Sequence, residues 1–238
     1  MKCLGILRAA AGGPPLYPGH VETSLLQRVL LAAGSAVAGL SDPWRADMVA
    51  TNGEVTGGRA LEAMRHVMAS TEEGRRILRD EPDLTAVDFG ALRLLPENSL
   101  GRCYAAYSDY HGISPDERAP VEFVDDADLA FVMRRYRQTH DLTHAVLDLP
   151  TNLVGEVAVK WVEAAQTGLP MCVGGALLAP ARFTARQARQ FRAIRPWVVS
   201  VALTARPFFS VYYEERWEQD VDDFRREMKF DPLPPAVL

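Results

Sequence analysis

Two long helical stretches meet at a proline, and this junction constrains the fold more than any other feature of the sequence. Residues 127–149 (ADLAFVMRRYRQTHDLTHAVLDL) read as one helix that Pro150 ends. A second stretch, residues 153–167 (LVGEVAVKWVEAAQT), follows a capping residue, either Thr151 or Asn152. Since only a short turn separates the two stretches, the sequence predicts an antiparallel helical hairpin.

Most of the remaining chain also carries helix signals, and the length of 238 residues suits one domain. The sequence is 48% hydrophobic and 24% charged, which is ordinary for a globular protein with a sizeable core. We therefore predict a mainly α fold with a single helical domain at residues 16–230. Residues 1–15 contain basic residues and no acid, so we expect a targeting remnant or a disordered segment there.

Capping signals predict two helix boundaries in the first part of the chain. An apolar helix is expected from a cap at Thr23 or Ser24 to about Gly39. Asp42 is followed by Pro43, and a polar cap before a proline is a frequent start of a helix. We therefore expect the next helix to begin at this pair.

Three segments near the C-terminus differ in composition and predict different structures. Residues 198–213 (VVSVALTARPFFSVYY) are β-branched and aromatic, and they fit either a strand or a buried helix. Residues 214–228 (EERWEQDVDDFRREM) predict one acidic helix. Residues 231–238 are rich in proline, and we expect them to form a frayed tail.

The charge balance and the cysteine count exclude several classes of protein. With 26 basic and 31 acidic residues the net charge is −5, so we expect no nucleic-acid partner. The three cysteines are widely spaced and include no CxxC pair, so neither a thiolate zinc site nor a disulfide framework is expected. A reducing compartment is the simpler interpretation.

Two apolar runs and a row of arginines are candidates for contact with lipid. Residues 29–40 and 168–181 are too short to cross a membrane, but they could line an apolar pocket, rest on a membrane surface or form buried core. The arginines follow at helical spacing: Arg182, Arg186, Arg189, Arg192 and Arg195. They would face anionic lipid or, alternatively, pair with the acids of residues 214–227.

The chemistry is concentrated on both sides of Pro150. His140 and His144 are four residues apart, so a helix places both imidazoles on one face, and Asp141 is three residues before His144. Glu156 is as far after Pro150 as His144 is before it. In an antiparallel hairpin, residues equidistant from the turn lie at the same height, so Glu156 is expected to face His144.

Two imidazoles and two carboxylates form a mixed nitrogen and oxygen set that suits zinc, and also manganese or iron(II). The fold predicted is therefore mainly α, a single helical domain with a metal-binding helical hairpin. One alternative is a pair of ordinary histidines with an ion pair between Glu156 and Lys160. Another is a zinc protease of the HExxH type, in which Asp141 would replace the glutamate.

His140, Asp141, His144 and Glu156 reproduce the HDxxH-x11-E motif, and here the chain resembles the coenzyme Q (ubiquinone) biosynthesis protein four family, in its mitochondrial, eukaryotic branch. Further segments resemble the family in order along the chain: LYPGH (16–20), LLAAGSA (30–36), DPWRADMVA (42–50), LPENSLGR (95–102), SPDERAP (114–120), RYRQTHD (135–141), LPTNLVGEVAVKW (149–161), QTGLPMC (166–172) and YYEERWEQ (212–219). The resemblance covers nearly the whole chain.

The resemblance implies a role in ubiquinone synthesis on the matrix side of the mitochondrial inner membrane, as a peripheral protein. It implies a carboxy-lyase that removes the ring carboxylate of 4-hydroxy-3-methoxy-5-polyprenylbenzoate, with an oxidative replacement by hydroxyl as a variant. It implies zinc, held by the four matching residues. The partners implied are the polyprenylated substrate, inner-membrane lipid and other ubiquinone biosynthesis proteins in a complex; self-association is left open.

Candidate roles follow for the residues around the motif. Asp141 is our candidate acid/base, because a four-ligand shell leaves no obvious open position unless one carboxylate swings away. Lys160 lies four residues after Glu156, and Tyr136 and Arg137 lie shortly before His140, so these three side chains are candidates for substrate contact.

A second class of function is also open to this sequence. The apolar runs, the arginines and the acidic segment fit a non-catalytic scaffold that binds a polyprenyl intermediate and organises the other ubiquinone enzymes. In that alternative the metal would be structural. We favour the enzyme because the imidazoles and carboxylates are clustered, and the two roles are compatible.

Overall fold

The computed structural model describes residues 14–42, 45–113 and 119–233, and helices dominate all three ranges. The α-helices are α1 (Leu25–Ser41), α2 (Ala46–Thr56), α3 (Gly58–Ala69), α4 (Glu72–Asp80), α5 (Phe89–Leu92), α6 (Leu100–His111), α7 (Ala127–Leu147), α8 (Leu153–Thr167), α9 (Pro170–Leu178), α10 (Ala185–Thr204) and α11 (Val221–Glu227). Short 3-10 helices lie at Leu84–Ala86, Ala179–Arg182, Phe208–Ser210 and Tyr213–Glu215. These ranges contain no strand, only an isolated bridge between Ser99 and Asp220. The prediction of a mainly α, single-domain protein is confirmed.

Helix α7 is the centre of the molecule, since it is buried along most of its length. Its first half packs with α3 and α4, through Val132 and Met133. Its second half packs with α6, α8, α10 and the end of the chain, through Leu142 and Val146. Both cores therefore depend on one helix, and the side chains of α7 that are not apolar must find partners in the interior.

Helices α7 and α8 form the predicted hairpin. Asp148 ends α7 in a left-handed conformation, with φ of 53°, and the Asn152 side chain caps α8 by accepting from the backbone of Val154 and Gly155. Asn152, rather than Thr151, is thus the cap. A Cβ atom on Gly155 would lie 1.8 Å from the carbonyl oxygen of Pro150, so only glycine fits where α8 leaves the turn.

The boundaries of the first helices differ in part from those expected. Ser24 caps α1 with a reciprocal capping box to Gln27, as predicted, but α1 continues to Ser41. The prediction that Asp42 starts the next helix is wrong: its backbone N–H closes α1 on Ala38, and α2 begins after Arg45. Residues 43 and 44 lie outside the described part of the chain.

The structure also decides the conformation of the two segments at residues 198–213 and 214–228. Residues 198–213 are helical up to Thr204 and then form a 3-10 helix, so the segment is not a strand. The single acidic helix at 214–228 is wrong, because Glu214 is drawn into an ion pair with the buried Arg135 while Asp220 caps a separate helix. Most of the predicted leader and tail, at residues 1–13 and 234–238, lies outside the described residues.

The Gly155 contact predicts a test of the hairpin. We expect Gly155→Ala to lower the unfolding free energy by about 1–3 kcal/mol, because the turn must move to admit the methyl group. Thermal unfolding followed by circular dichroism measures this change. The matched control is Gly34→Ala in the exposed part of α1, where a Cβ meets nothing within 4 Å. That variant should be neutral or gain up to about 1 kcal/mol, and equal effects of the two substitutions would contradict our account.

Candidate metal centre

Three side chains from the two arms of the hairpin converge at one point. His140 and His144 project from adjacent turns of α7, with ring centroids 4.8 Å apart, and Glu156 reaches them from the first turn of α8. Glu156 Oε2 lies 3.6 Å from His140 Nε2, and Glu156 Oε1 lies 3.3 Å from His144 Nε2. The three candidate ligand atoms lie within 4.8 Å of one another, as the spacing about Pro150 predicts.

Hydrogen bonds on the far side of each imidazole fix which nitrogen faces the centre. Nδ1 of His144 lies 3.1 Å from the carbonyl oxygen of Leu149, which can only accept, so Nδ1 carries the proton. Nδ1 of His140 lies 2.7 Å from Oε1 of Glu163 and donates to this carboxylate. In neutral imidazoles both Nε2 atoms then present lone pairs to the centre, and a ligating histidine commonly has such an outer partner.

The geometry fits a metal ion. His144 Nε2 is buried and makes no hydrogen bond among the described residues, although Glu156 Oε1 lies 3.3 Å away. Two acceptors that face each other in this way are unfavourable unless a cation or a proton lies between them. Ligands about 2.0–2.2 Å from a tetrahedral ion lie roughly 3.3–3.6 Å apart, and the Nε2–Glu156 distances are 3.3 and 3.6 Å. Zinc, manganese and iron(II) all accept this donor set.

The electrostatics of Glu156 also suit a cation. Burial alone would raise the pKa of Glu156, but the two imidazoles beside the carboxylate outweigh burial and hold the pKa well below its usual range. Glu156 is therefore a carboxylate at neutral pH.

Asp141, the fourth predicted ligand, is half-buried on α7 and is not among the three converging residues. It lines a cavity beside the centre instead.

A cavity of about 1090 Å³ opens beside the centre and has mostly apolar walls. His140, Asp141 and Glu156 line it, and so do the three predicted substrate contacts: Tyr136, Arg137 and Lys160. Both predicted apolar runs contribute to its wall, through residues of α1 and of α9: Ala36, Gly39, Leu40, Pro170, Met171, Gly174, Gly175 and Leu178. The cavity thus joins a polar group to an apolar trough.

The three predicted substrate contacts already have protein partners. Lys160 Nζ lies 2.6 Å from Oε2 of Glu163 and 3.1 Å from the hydroxyl of Tyr136. Arg137 donates to Glu54 and to the carbonyl of Ala50. Carboxylates therefore hold both cations at the cavity wall. Lys160 forms its ion pair with Glu163, and not with Glu156 as the alternative interpretation of the sequence expected.

Two carboxylates of the site were missed in the sequence. Glu163 lies 13 residues after Pro150, and Tyr136 lies 14 residues before it, so the two residues face each other across the hairpin. The comparison of distances from Pro150 that predicts the contact between Glu156 and His144 would also have predicted this one, two turns further along. Glu54 pairs with Arg137 from α2, which is distant in sequence. No spacing in the chain signals that contact.

The outer surface near the cavity is unusually apolar and basic. Helix α1 has one buried residue, Ser35, and exposes a row of large apolar side chains: Leu25, Leu26, Val29, Leu30, Val37 and Leu40. Among the described residues, Arg186, Arg189, Arg192 and Arg195 of α10 are exposed and form no ion pair. Five acids of this range, Glu214, Glu215, Asp222, Asp223 and Glu227, pair with other arginines instead: Arg76, Arg135, Arg206, Arg216, Arg225 and Arg226. No helix in the described ranges has the length and apolar character needed to span a bilayer.

The fold and the site together define a helical protein with a candidate metal centre at the wall of a large apolar cavity. A family model described as "Coenzyme Q (ubiquinone) biosynthesis protein Coq4" matches residues 17–234. The chain belongs to this family, which confirms the resemblance seen in its motifs.

The sequence of the chain is similar to those of named relatives over most of their length. The chain is 50% identical to the "Ubiquinone biosynthesis protein COQ4 homolog, mitochondrial" of Bos taurus over 225 residues, covering 93% of this chain and 85% of the bovine one. It is 46% identical to the protein of the same description from Rattus norvegicus over 236 residues, covering 98% and 89%. A crystal structure of a candidate ubiquinone biosynthesis protein from Nostoc punctiforme superposes with a TM-score of 0.65 at 19% identity, covering 83% of this chain and 95% of that one, and so shares the fold.

The orphaned Nε2 atom predicts a strong dependence of metal binding on His144. We expect the protein, purified without added metal, to carry a stoichiometric divalent ion, and His144→Ala to lose it. Metal content by mass spectrometry measures both, with folding checked by circular dichroism. His66→Ala, the same substitution at an exposed histidine of α3, should retain the ion. Equal metal content in the two variants would remove the basis for this centre.

Proposed function

We propose that the protein is a metal-dependent carboxy-lyase of ubiquinone biosynthesis that decarboxylates C1 of 4-hydroxy-3-methoxy-5-polyprenylbenzoate. The observation that carries the proposal is the convergence of His140, His144 and Glu156 at the wall of an apolar cavity of about 1090 Å³. That volume is at the upper end of the roughly 300–1,000 Å³ of small-molecule sites. It suits a ring with a long apolar tail. The family's role in ubiquinone biosynthesis supports this substrate class.

The polar wall can supply what decarboxylation of a phenol acid requires. A zinc ion held by the two imidazoles and Glu156 would act as a Lewis acid on a carboxylate or phenolate oxygen. Lys160 and Arg137 add positive charge where the anionic ring enters. Each forms an ion pair with its own carboxylate partner, Glu54 for Arg137 and Glu163 for Lys160.

Asp141 is the proposed proton donor. A proton is delivered to ring carbon C1, and the C1–carboxylate bond then breaks. Its electron pair restores the aromatic ring, and carbon dioxide leaves. The step consumes one proton and needs no oxidant. Asp141 lines the cavity and follows His140 in sequence, which supports this role.

Asp141→Asn tests this role. We expect the variant to keep its metal and to lose turnover by about 10²–10⁴-fold, as for removal of a general acid. The assay measures carbon dioxide release from a short-chain polyprenyl substrate in detergent. Asp47→Asn is the matched control, because Asp47 lines the same cavity but pairs with Arg45; it should retain turnover. If Asp141→Asn loses the metal as well, Asp141 is a ligand instead.

The same experiment separates the enzyme from the scaffold. A folded, metal-loaded wild-type protein that binds the polyprenylated benzoate but never releases carbon dioxide would favour the scaffold, which holds an intermediate for other enzymes. Assembly into a complex with other ubiquinone biosynthesis proteins remains a proposal from the family resemblance, as does self-association.

We propose a peripheral position on the matrix face of the mitochondrial inner membrane. The relatives are named as mitochondrial proteins. Helix α1 exposes a row of apolar side chains, and the exposed arginines of α10 form no ion pair with any described residue. Such a combination binds anionic bilayers, with apolar side chains in the headgroup region and basic ones on the phosphates.

Reversal of charge on α10 tests this orientation. Each arginine near an anionic surface contributes about 1 kcal/mol, so Arg189→Glu with Arg192→Glu should weaken binding to phosphatidylcholine vesicles containing phosphatidylserine by on the order of tenfold or more. Vesicle co-sedimentation measures the partition. The control has the same charge change on other elements, Arg59→Glu with Lys229→Glu, and should bind nearly as the wild type does. Equal losses in both double variants would argue against α10 as the membrane face.

A further inference from the structure

A single buried carboxylate lies between the metal centre and the cation at the cavity wall. The side chain of Glu163 is 6% exposed. Its Oε1 accepts from His140 Nδ1 at 2.7 Å, and its Oε2 accepts from Lys160 Nζ at 2.6 Å and from the Tyr136 hydroxyl at 2.8 Å. We propose that Glu163 is a positioning residue: it orients His140 for the metal and keeps Lys160 away from Glu156. This inference rests on the metal centre of the proposed function.

The two imidazoles depend on different kinds of support. His144 is held by the carbonyl of Leu149, a backbone group that the hairpin turn fixes. His140 is held by a side chain alone, on the opposite helix. Without Glu163 the ring of His140 could rotate or adopt its other tautomer, and Nε2 would no longer present its lone pair to the centre. An anionic partner on Nδ1 also makes Nε2 a stronger donor to the metal.

The second part of the proposed role of Glu163 is to keep Lys160 away from Glu156. It lies four residues after Glu156 on α8, and a glutamate four residues before a lysine normally forms an ion pair on a helix. Here Lys160 is paired with Glu163 instead. Glu156 is thereby left to the two imidazoles. If Lys160 were released from Glu163, its ammonium group could reach Glu156 and compete with a metal ion for the same carboxylate.

Charge explains why one residue can do both tasks. The carboxylate of Glu163 forms an ion pair with the Lys160 ammonium group, which lies 2.6 Å from Oε2. It offers two oxygens, and the structure uses one for the metal-ligating ring and the other for the cation. Glutamine at this position keeps the shape but supplies one acceptor and no charge.

Metal affinity tests the proposal directly. Affinities for Zn²⁺ are measured by competition with a chromogenic chelator on the wild type, Glu163→Gln and Glu163→Gln/Lys160→Met. We expect Glu163→Gln to bind 10–100-fold more weakly, the range for loss of an outer partner of a metal ligand. The double variant should regain part of the loss, because no ammonium group remains to compete for Glu156. Glu73→Gln is the control: Glu73 pairs with Arg206 and Arg216 outside the cavity lining, and its replacement should leave Zn²⁺ affinity unchanged.

A second measurement covers the case in which Glu163→Gln does not fold. Glu163→Asp keeps the charge and retracts it by one methylene, and we expect an altered visible absorption spectrum of the Co²⁺-loaded protein, since the spectrum reports ligand geometry. Unchanged Zn²⁺ affinity in Glu163→Gln, or an unchanged Co²⁺ spectrum in Glu163→Asp, would overturn the role of Glu163. Weakened binding with no recovery in the double variant would overturn the part that concerns Lys160. A wild type that binds neither ion would overturn the metal centre itself, which is a different outcome.

Discussion

The register of the hairpin between α7 and α8 is the constraint on which the site depends. The carbonyl of Pro150 packs against Gly155 so closely that the start of α8 cannot slide along the turn. That contact fixes Glu156 opposite His144, and two turns further along α8 it fixes Glu163 opposite Tyr136. A shift of one residue would rotate α8 by about 100° and carry every carboxylate away from its partner.

The interior of the hairpin is a balanced arrangement of buried charge. Unpaired ions in such a position would be costly, and pairs are tolerated only where hydrogen bonds satisfy both members. Glu163 meets this condition with Lys160, Tyr136 and His140 as donors. His144 does not, because its Nε2 has no hydrogen-bond partner in the described part of the chain. Three potential metal ligands, His140, His144 and Glu156, converge at this point.

Local spacing explains what the sequence could predict and what it could not. The hairpin and the convergence of His140, His144 and Glu156 follow from distances of a few helical turns along the chain. The sequence of the apolar runs allows three interpretations, and the structure places residues of both runs in the cavity wall. Failures occurred where remote partners decide. Glu214 leaves its expected helix for an arginine buried in α7. The error at Asp42 is local instead, because its N–H bonds to Ala38 four residues earlier and closes one helix where the start of another was expected. The pair of Glu54 with Arg137 joins residues that no periodicity relates.

Helix α1 presents apolar side chains both to the cavity and to the molecular surface. Ala36 and Leu40 line the cavity, whereas Leu26, Leu30 and Val37 are exposed on the outside. Both the cavity face and the outer face of α1 therefore carry apolar side chains. Exposure of so many apolar side chains to water is unfavourable for a surface helix. A polyprenyl tail that left the cavity over α1 would remain on apolar surface throughout, while its ring stayed beside the cations of α7 and α8. The same helix thus forms a wall of the cavity and, in the peripheral position proposed above, would also be the contact with lipid.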